Sequence, residues 1–263
     1  MWARCPHPAV PCLHIEALPE AIQMHDPREG VTSHGTIATG ASRDQVSAVF
    51  EPILAAAVAA VRGADRGASL YLYGSVATGT AQAGSSDVDL LTVGIPPSQA
   101  AAVGRALSER FANLCRAVEV AAAQASDFVG ERDEAYGGRV FLRHYCVHLT
   151  GPDLHSRLPD FPADVRAARG FNGDISLSAR RWRDELDGGD AGRLGRRLAR
   201  KCLLAVAGLV SVYDNTWTTD RAGAAARWAE IEPPLENDLR MLLAWSTGCL
   251  LYTSDAADEG VEG

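Results

Sequence analysis

Residues 70–93, LYLYGSVATGTAQAGSSDVDLLTV, leave the backbone few choices. Leu70–Tyr73 is an apolar run of strand length, and Val88–Val93 is a second one. Gly74, Gly79 and Gly84 lie between them and permit backbone angles that other residues avoid, so the chain can return tightly and lay the two strands together. The second strand carries Asp87 and Asp89 at i and i+2, which projects both from one face. Burying two like charges costs on the order of several kcal/mol unless they are paired or bound to a cation. A divalent cation resolves the conflict. Mg²⁺ prefers hard oxygen ligands and commonly takes one or two carboxylates together with substrate phosphates. Gly74-Ser75 supplies the complement. Glycine allows close approach of a ligand, Ser75 offers a hydroxyl and backbone N–H groups to phosphate oxygens, and a helix starting there would aim further N–H groups at an anion.

The surrounding pattern predicts what carries this unit. Ser42-Arg43-Asp44-Gln45 is a capping-box pattern. Apolar residues at 46, 49, 50, 53, 54, 57, 58 and 61 then form one helical face, which Pro52 should kink or split into two abutting helices. Pro96–Ala117 reads as a helix, Val118–Ala122 as a short strand and Gly138–Leu149 as a longer one. After Gly151-Pro152 the pattern is helical, over about 176–187, 191–213, 219–229 and 234–247. This order predicts an α+β chain. A small mixed sheet with flanking helices spans 41–151, an all-helical domain spans 152–248, and a cleft lies between them.

Both ends read differently. Residues 1–40 hold no period of 3.6 or 2 and are expected to be a disordered leader or a start assigned too early, with Met24 a later candidate. Cys5, His7, Cys12 and His14 match no common zinc spacing. The run CLLYTSDAADE, from Cys249 to Glu259, resembles a translated adapter used in preparing sequencing libraries. Residues 249–263 are therefore expected to be extraneous, with the native C-terminus missing. Net charge is −8, which argues against nonspecific binding to nucleic acid. No apolar run reaches the length of a membrane span. Six scattered cysteines without a CxxC pair fit a reducing, cytoplasmic setting.

The stretch 70–93 resembles the signature of the DNA polymerase β-like nucleotidyltransferases, GS followed by SDxD at the same separation. It is most similar to that of the aminoglycoside nucleotidyltransferases of the streptomycin/spectinomycin type, whose LYGS strand also leads into a SDxDLL strand. The likeness covers roughly residues 42–248, strongest over 68–93 and weaker at 116–121. It implies a nucleotidyltransferase domain that uses Mg²⁺ to move AMP from ATP to a hydroxyl of a small molecule and releases pyrophosphate. Asp87, Asp89 and Glu119 are then the catalytic and metal-binding carboxylates, with Glu119 as general base and Asp127 in reserve. Gly74, Ser75 and Ser86 are nucleotide-binding. An edge strand with Glu119 facing water is the plainer reading of that residue.

Between Arg180 and Lys201 stand eight basic and four acidic residues. Arg197 and Lys201, the latter the chain's single lysine, share a helical face that would neutralise the triphosphate if turned to the cleft; a solvated helix surface accounts for the same charges. Trp217 and Trp228 can stack on a substrate or fill a core or interdomain contact. The streptomycin/spectinomycin type also brings an acidic residue from the start of a helical-domain helix. The matching stretch here, Arg196–Arg200, is basic, which leaves Asp187 or Asp190 to substitute. Two other functions remain open: a protein nucleotidyltransferase of a toxin–antitoxin type, and a non-catalytic nucleotide-binding module.

Overall fold

The computed structural model describes residues 26–172, 175–185 and 191–248. The proposed leader up to residue 25, its Cys and His residues, Asp187, Asp190 and the tail 249–263 lie outside them. A hairpin of β1 (Gly30–Val31) and β2 (Ile37–Ala38) comes first, followed by single 3-10 turns at Arg43–Gln45 and Ala48–Phe50 and by α1 (Glu51–Ala64). Then come β3 (Ser69–Tyr73), α2 (Gly74–Thr78), β4 (Val88–Val93), α3 (Pro97–Arg110), β5 (Val118–Ala123), α4 (Asp133–Tyr145) and β6 (Val147–Thr150). The rest is helical: α5 (Val165–Phe171), α6 (Ile175–Glu185), α7 (Ala191–Tyr213), α8 (Arg221–Ile231) and α9 (Glu236–Thr247).

Among the described residues the main sheet runs β5-β4-β3-β6. β3 is antiparallel to β4 and β6, and β4 is parallel to β5. The parallel pair needs a crossover, which α3 provides. Alternation along each strand sorts the side chains. Leu70, Leu72, Val88, Leu90 and Val118 pack on one face with Ile53, Ala57 and Val61 of α1 and Leu107 of α3. Tyr71, Leu91 and Val93 pack on the other with Leu142 and Cys146. Asp87 and Asp89 share the second face by the same period of two.

The structure moves several expected boundaries. Pro52 lies in the first turn of α1 rather than kinking it, because a missing N–H costs nothing there. The helix expected to reach Ala117 ends at Arg110. The strand expected over Gly138–Leu149 is α4 up to Tyr145, with β6 following. The alternation of Val140 and Leu142 hid a helix whose two sides both pack, Tyr136 and Val140 on one cluster and Leu142 on another. Its acidic first turn (Asp133, Glu134) and basic last turn (Arg143, His144) suit the helix dipole.

The leader is also corrected where it is described. Residues 26–40 pack into the fold, with Ile37 only 3% exposed in a cluster with Tyr136, Val140, Phe161 and Trp217. Glu29 ties the segment down. It accepts from Tyr145 Oη at 2.6 Å, Thr219 Oγ1 at 2.7 Å and Thr219 N at 2.8 Å, while Trp217 Nε1 donates to Tyr145 Oη at 2.7 Å. Burial, with Glu29 beside it, pushes the Tyr145 phenol well above its ordinary range, so it stays a neutral donor. One carboxylate thus joins the N-terminal segment, α4 and the α7–α8 loop. A second joint is closer still: a Cβ added to Gly137 of α4 would sit 1.8 Å from the Gly170 carbonyl oxygen of α5.

Removing the Glu29 carboxylate leaves half-buried donors of Tyr145 and Thr219 without that acceptor. Glu29→Ala is expected to destabilise the fold by about 1.5–3 kcal/mol, the usual worth of hydrogen bonds to a charged group. Urea unfolding should show a lower midpoint at unchanged slope. An unchanged midpoint would mean that residues 26–40 are not an integral part of the fold.

Candidate active site

β4 is flanked on both sides in register: Asp89 pairs with Tyr73 of β3 and with Glu119 of β5. Register partners on adjacent strands point to the same face. The tyrosine, the aspartate and the glutamate therefore form one row across three strands, on the face that carries α4. Tyr73 meets Phe141 of α4 edge-on, with ring centroids 5.0 Å apart. Asp89 is half-buried, and Glu119, on the edge strand, is exposed. Burial comes first in raising the Asp89 carboxyl to about 6, followed by the charges of Glu119 and Asp87; Arg116 opposes them. The Tyr73 phenol is pushed up by burial and by Asp89, so it remains protonated.

Gly74 fits this row from one side. Its φ of 72° is a left-handed value that favours glycine, and a Cβ there would lie 2.3 Å from Asp89 Oδ2. Any other residue would have to displace the aspartate. α2 has five residues and ends at Gly79, also at positive φ. The Ser75 carbonyl accepts from Thr80 N and Ala81 N and so closes the return loop. Ser86 Oγ accepts from Gln82 N at 2.9 Å, which braces the loop just before Asp87; its own proton stays available for another acceptor.

Arg116 holds Asp87, with Nε donating to Oδ1 at 2.9 Å and Nη2 to Oδ2. The backbone fixes this meeting, since Arg116 N donates to Ser86 O at 3.0 Å and Val88 N to Ala117 O at 2.9 Å. Hard carboxylate oxygens of like charge set side by side suit a divalent cation in their chemistry. Their arrangement is a step removed: among the described residues no three Asp, Glu, His or Cys side chains are gathered closely enough to hold a metal ion.

The site thus brings together Gly74, Asp87, Asp89 and Glu119, with Ser75 and Ser86 in the loop between the strands. Asp127 is spent elsewhere, since its Oδ2 accepts from Gln124 N and caps the turn after β5. Arg197 and Lys201 lie on α7, and neither is among the charges that shift Asp89. Trp217 is a core residue, 3% exposed, and Trp228 packs edge-on with Tyr213. Sequence reading missed Tyr73 and Arg116. The signal for Tyr73 was its place one residue before Gly74. Arg116 had only its position just ahead of the third acidic strand. A groove of about 910 Å³ lies elsewhere, lined by Glu131, Asn172, Leu209 and Trp228 among others. It contains none of the row carboxylates, so chemistry rather than volume locates the candidate site.

Residues 57–136 match the family model described as a nucleotidyltransferase domain. That span contains Tyr73, Gly74, Asp87, Asp89, Arg116 and Glu119. Among solved structures, the chain is similar to spectinomycin adenyltransferase AAD(9) from Enterococcus faecialis, determined with ATP and spectinomycin. The identity is 13% and the TM-score 0.44, over 77% of this chain and 92% of that one. No curated protein matches the sequence.

The burial of Asp89 carries a pH signature. The folded protein holds this proton up to about pH 6, whereas an unfolded carboxyl releases it near 3.9. The folded state therefore binds more protons between those values, and the Asp89 contribution to stability is lost as pH rises through that window. Asp89→Asn should stabilise the protein in chelator at pH 7.5 by ~1–3 kcal/mol and make little difference below about pH 4. Denaturant midpoints at the two pH values measure it. A difference that does not change with pH would contradict the assignment.

Proposed function

We propose that this chain, which carries a nucleotidyltransferase domain over residues 57–136, is a magnesium-dependent enzyme that moves AMP from ATP to a hydroxyl of a small molecule. The carrying observation is the in-register row Tyr73–Asp89–Glu119, with Gly74 backed onto Asp89. It supports the roles that the sequence resemblance implies.

In this reading Asp87 and Asp89 hold the metal, which supplies positive charge to the phosphate oxygens as negative charge builds there. Gly74, Ser75 and Ser86 receive the triphosphate. Glu119 stands beside Asp89 on the exposed edge, where an acceptor can reach it, and takes the proton of the attacking hydroxyl. The acceptor oxygen forms a bond to the α-phosphorus, the bond from that phosphorus to the β-phosphate oxygen breaks, and pyrophosphate leaves. Such transfer rests mainly on positioning and charge neutralisation. Arg197 and Lys201 are assigned to the phosphates from the helical side. An aminoglycoside is the acceptor class favoured here, because a net charge of −8 suits a polycation.

Incubation with labelled ATP, Mg²⁺ and either an aminoglycoside panel or a set of proteins tests the reading, with mass spectrometry of the products. The expected result is AMP on a small molecule and one pyrophosphate per transfer. Label on protein alone would overturn the acceptor class, and nucleotide binding without any transfer would overturn the enzyme reading for both acceptor types.

Asp87→Asn and Asp89→Asn are each expected to lower turnover by at least ~10³-fold, since the metal's charge stabilisation is worth several kcal/mol. Glu119→Gln should lower it by roughly 10²–10⁴-fold while metal–ATP binding, followed by calorimetry, persists. Loss of binding in Glu119→Gln as complete as in the aspartate variants would make Glu119 a ligand rather than a base.

A further inference from the structure

Arg116 takes both oxygens of Asp87 in a planar two-point grip, the same oxygens that a metal would need. The two partners are unequally exposed: 62% of the Arg116 side chain faces solvent against 16% for Asp87. The arginine thus lies over the aspartate from outside and can leave without unpacking anything. Its backbone cannot leave, because the bonds between Arg116 N and Ser86 O and between Val88 N and Ala117 O fasten it beside the loop. The charges of Glu119 and Asp89 also favour the protonated guanidinium, though less than Asp87, which it contacts directly.

We infer that Arg116 is a built-in counter-cation which occupies Asp87 before the metal binds and passes to the phosphates of the incoming nucleotide afterwards. The inference rests on the function proposed above. Without Arg116, Asp87 would add its full charge to a row in which Asp89 and Glu119 already stand side by side. An ion pair with one partner this exposed is weak, so a divalent cation with carboxylate ligands displaces it readily. Once displaced, the guanidinium remains tethered next to the metal, and the nearest new anion is the triphosphate that the metal attracts. An arginine fork binds phosphate oxygens as well as it binds a carboxylate. No bond is made or broken in this exchange; one ion pair replaces another.

The exchange makes two effects of opposite sign from one substitution. Arg116→Gln removes the competitor at Asp87, so bare Mn²⁺ should bind about 3- to 10-fold tighter. The same change removes a phosphate contact, so a non-hydrolysable ATP analogue at saturating Mn²⁺ should bind about 10-fold weaker. Arg116→Lys keeps the charge without the fork and should fall between wild type and Arg116→Gln in both measurements. Electron paramagnetic resonance titration of free Mn²⁺ gives the first affinity and calorimetry the second, with circular dichroism as a folding control. Unchanged affinities in Arg116→Gln would make the pair ordinary surface. Weaker binding of both ligands would mean that Arg116 only organises the loop, and would equally overturn the exchange. If the wild type binds no Mn²⁺ at all, the metal site proposed above fails first and this inference falls with it. If it binds Mn²⁺ normally and the variants do not split, the metal site stands and only the exchange is lost.

Discussion

Asp89 and Glu119 stand side by side on a parallel ladder, and the rest of the site answers to that one unfavourable adjacency. Two carboxylates in register repel, and partial burial of one keeps water from relieving it. The fold imposes the pairing: α3 brings β5 back parallel to β4, and β4 has no other neighbour on that side. What surrounds the pair can be read as accommodation. Gly74 leaves out a side chain that would strike Asp89, Tyr73 stands opposite it as a neutral phenol, and Arg116 offsets the charge of Asp87. On the function proposed above, a site that tolerates concentrated negative charge in this way would receive a cation and a substrate rich in phosphate.

The helical elements hold the row in place more than they build it. α4 lies across the carboxylate-bearing face and touches Tyr73 through Phe141. From there an aromatic series runs outward through Tyr145 and Phe171 to Trp217, where Glu29 of the N-terminal segment gathers donors from α4 and from the α7–α8 loop. Movement of the helical region would therefore be felt at Tyr73 through packed rings. α7 packs against α8 and α9 and reaches the sheet body by way of α5, whose backbone meets that of α4 closely at Gly137 and Gly170.

Legibility in the sequence followed distance along the chain. Asp87, Asp89 and Gly74 lie within one strand–loop–strand unit, so spacing alone placed the two aspartates on a common face and the glycine in the turn that returns the chain to them. Glu119 came only from the family resemblance, which asks for a third carboxylate on a neighbouring strand; the strand pattern by itself allowed a residue facing water. α4 was misread because Val140 and Leu142 stand two apart, and so short an alternation cannot distinguish a strand from a helix that is packed on both sides. Arg116 was passed over because its partner is 29 residues away and only the sheet register joins them. Residues 26–40 looked like a leader for a related reason. Glu29 has no local partner pattern, and its meaning lies in Tyr145 and Thr219, more than a hundred residues on. Long-range polar contacts leave no period to detect.

The central claim is that the β4–β5 carboxylate row, rather than the groove beside α5 and α7, receives metal and nucleotide together. Anomalous diffraction from crystals grown with Mn²⁺ and an ATP analogue that resists cleavage at the α-phosphorus tests it most directly. The account predicts a manganese peak between Asp87 and Asp89, with the α-phosphate beside it and Glu119 open to solvent on the acceptor side. A nucleotide bound without manganese at those two carboxylates, or seated in the groove near Asn172 and Leu209, would contradict it.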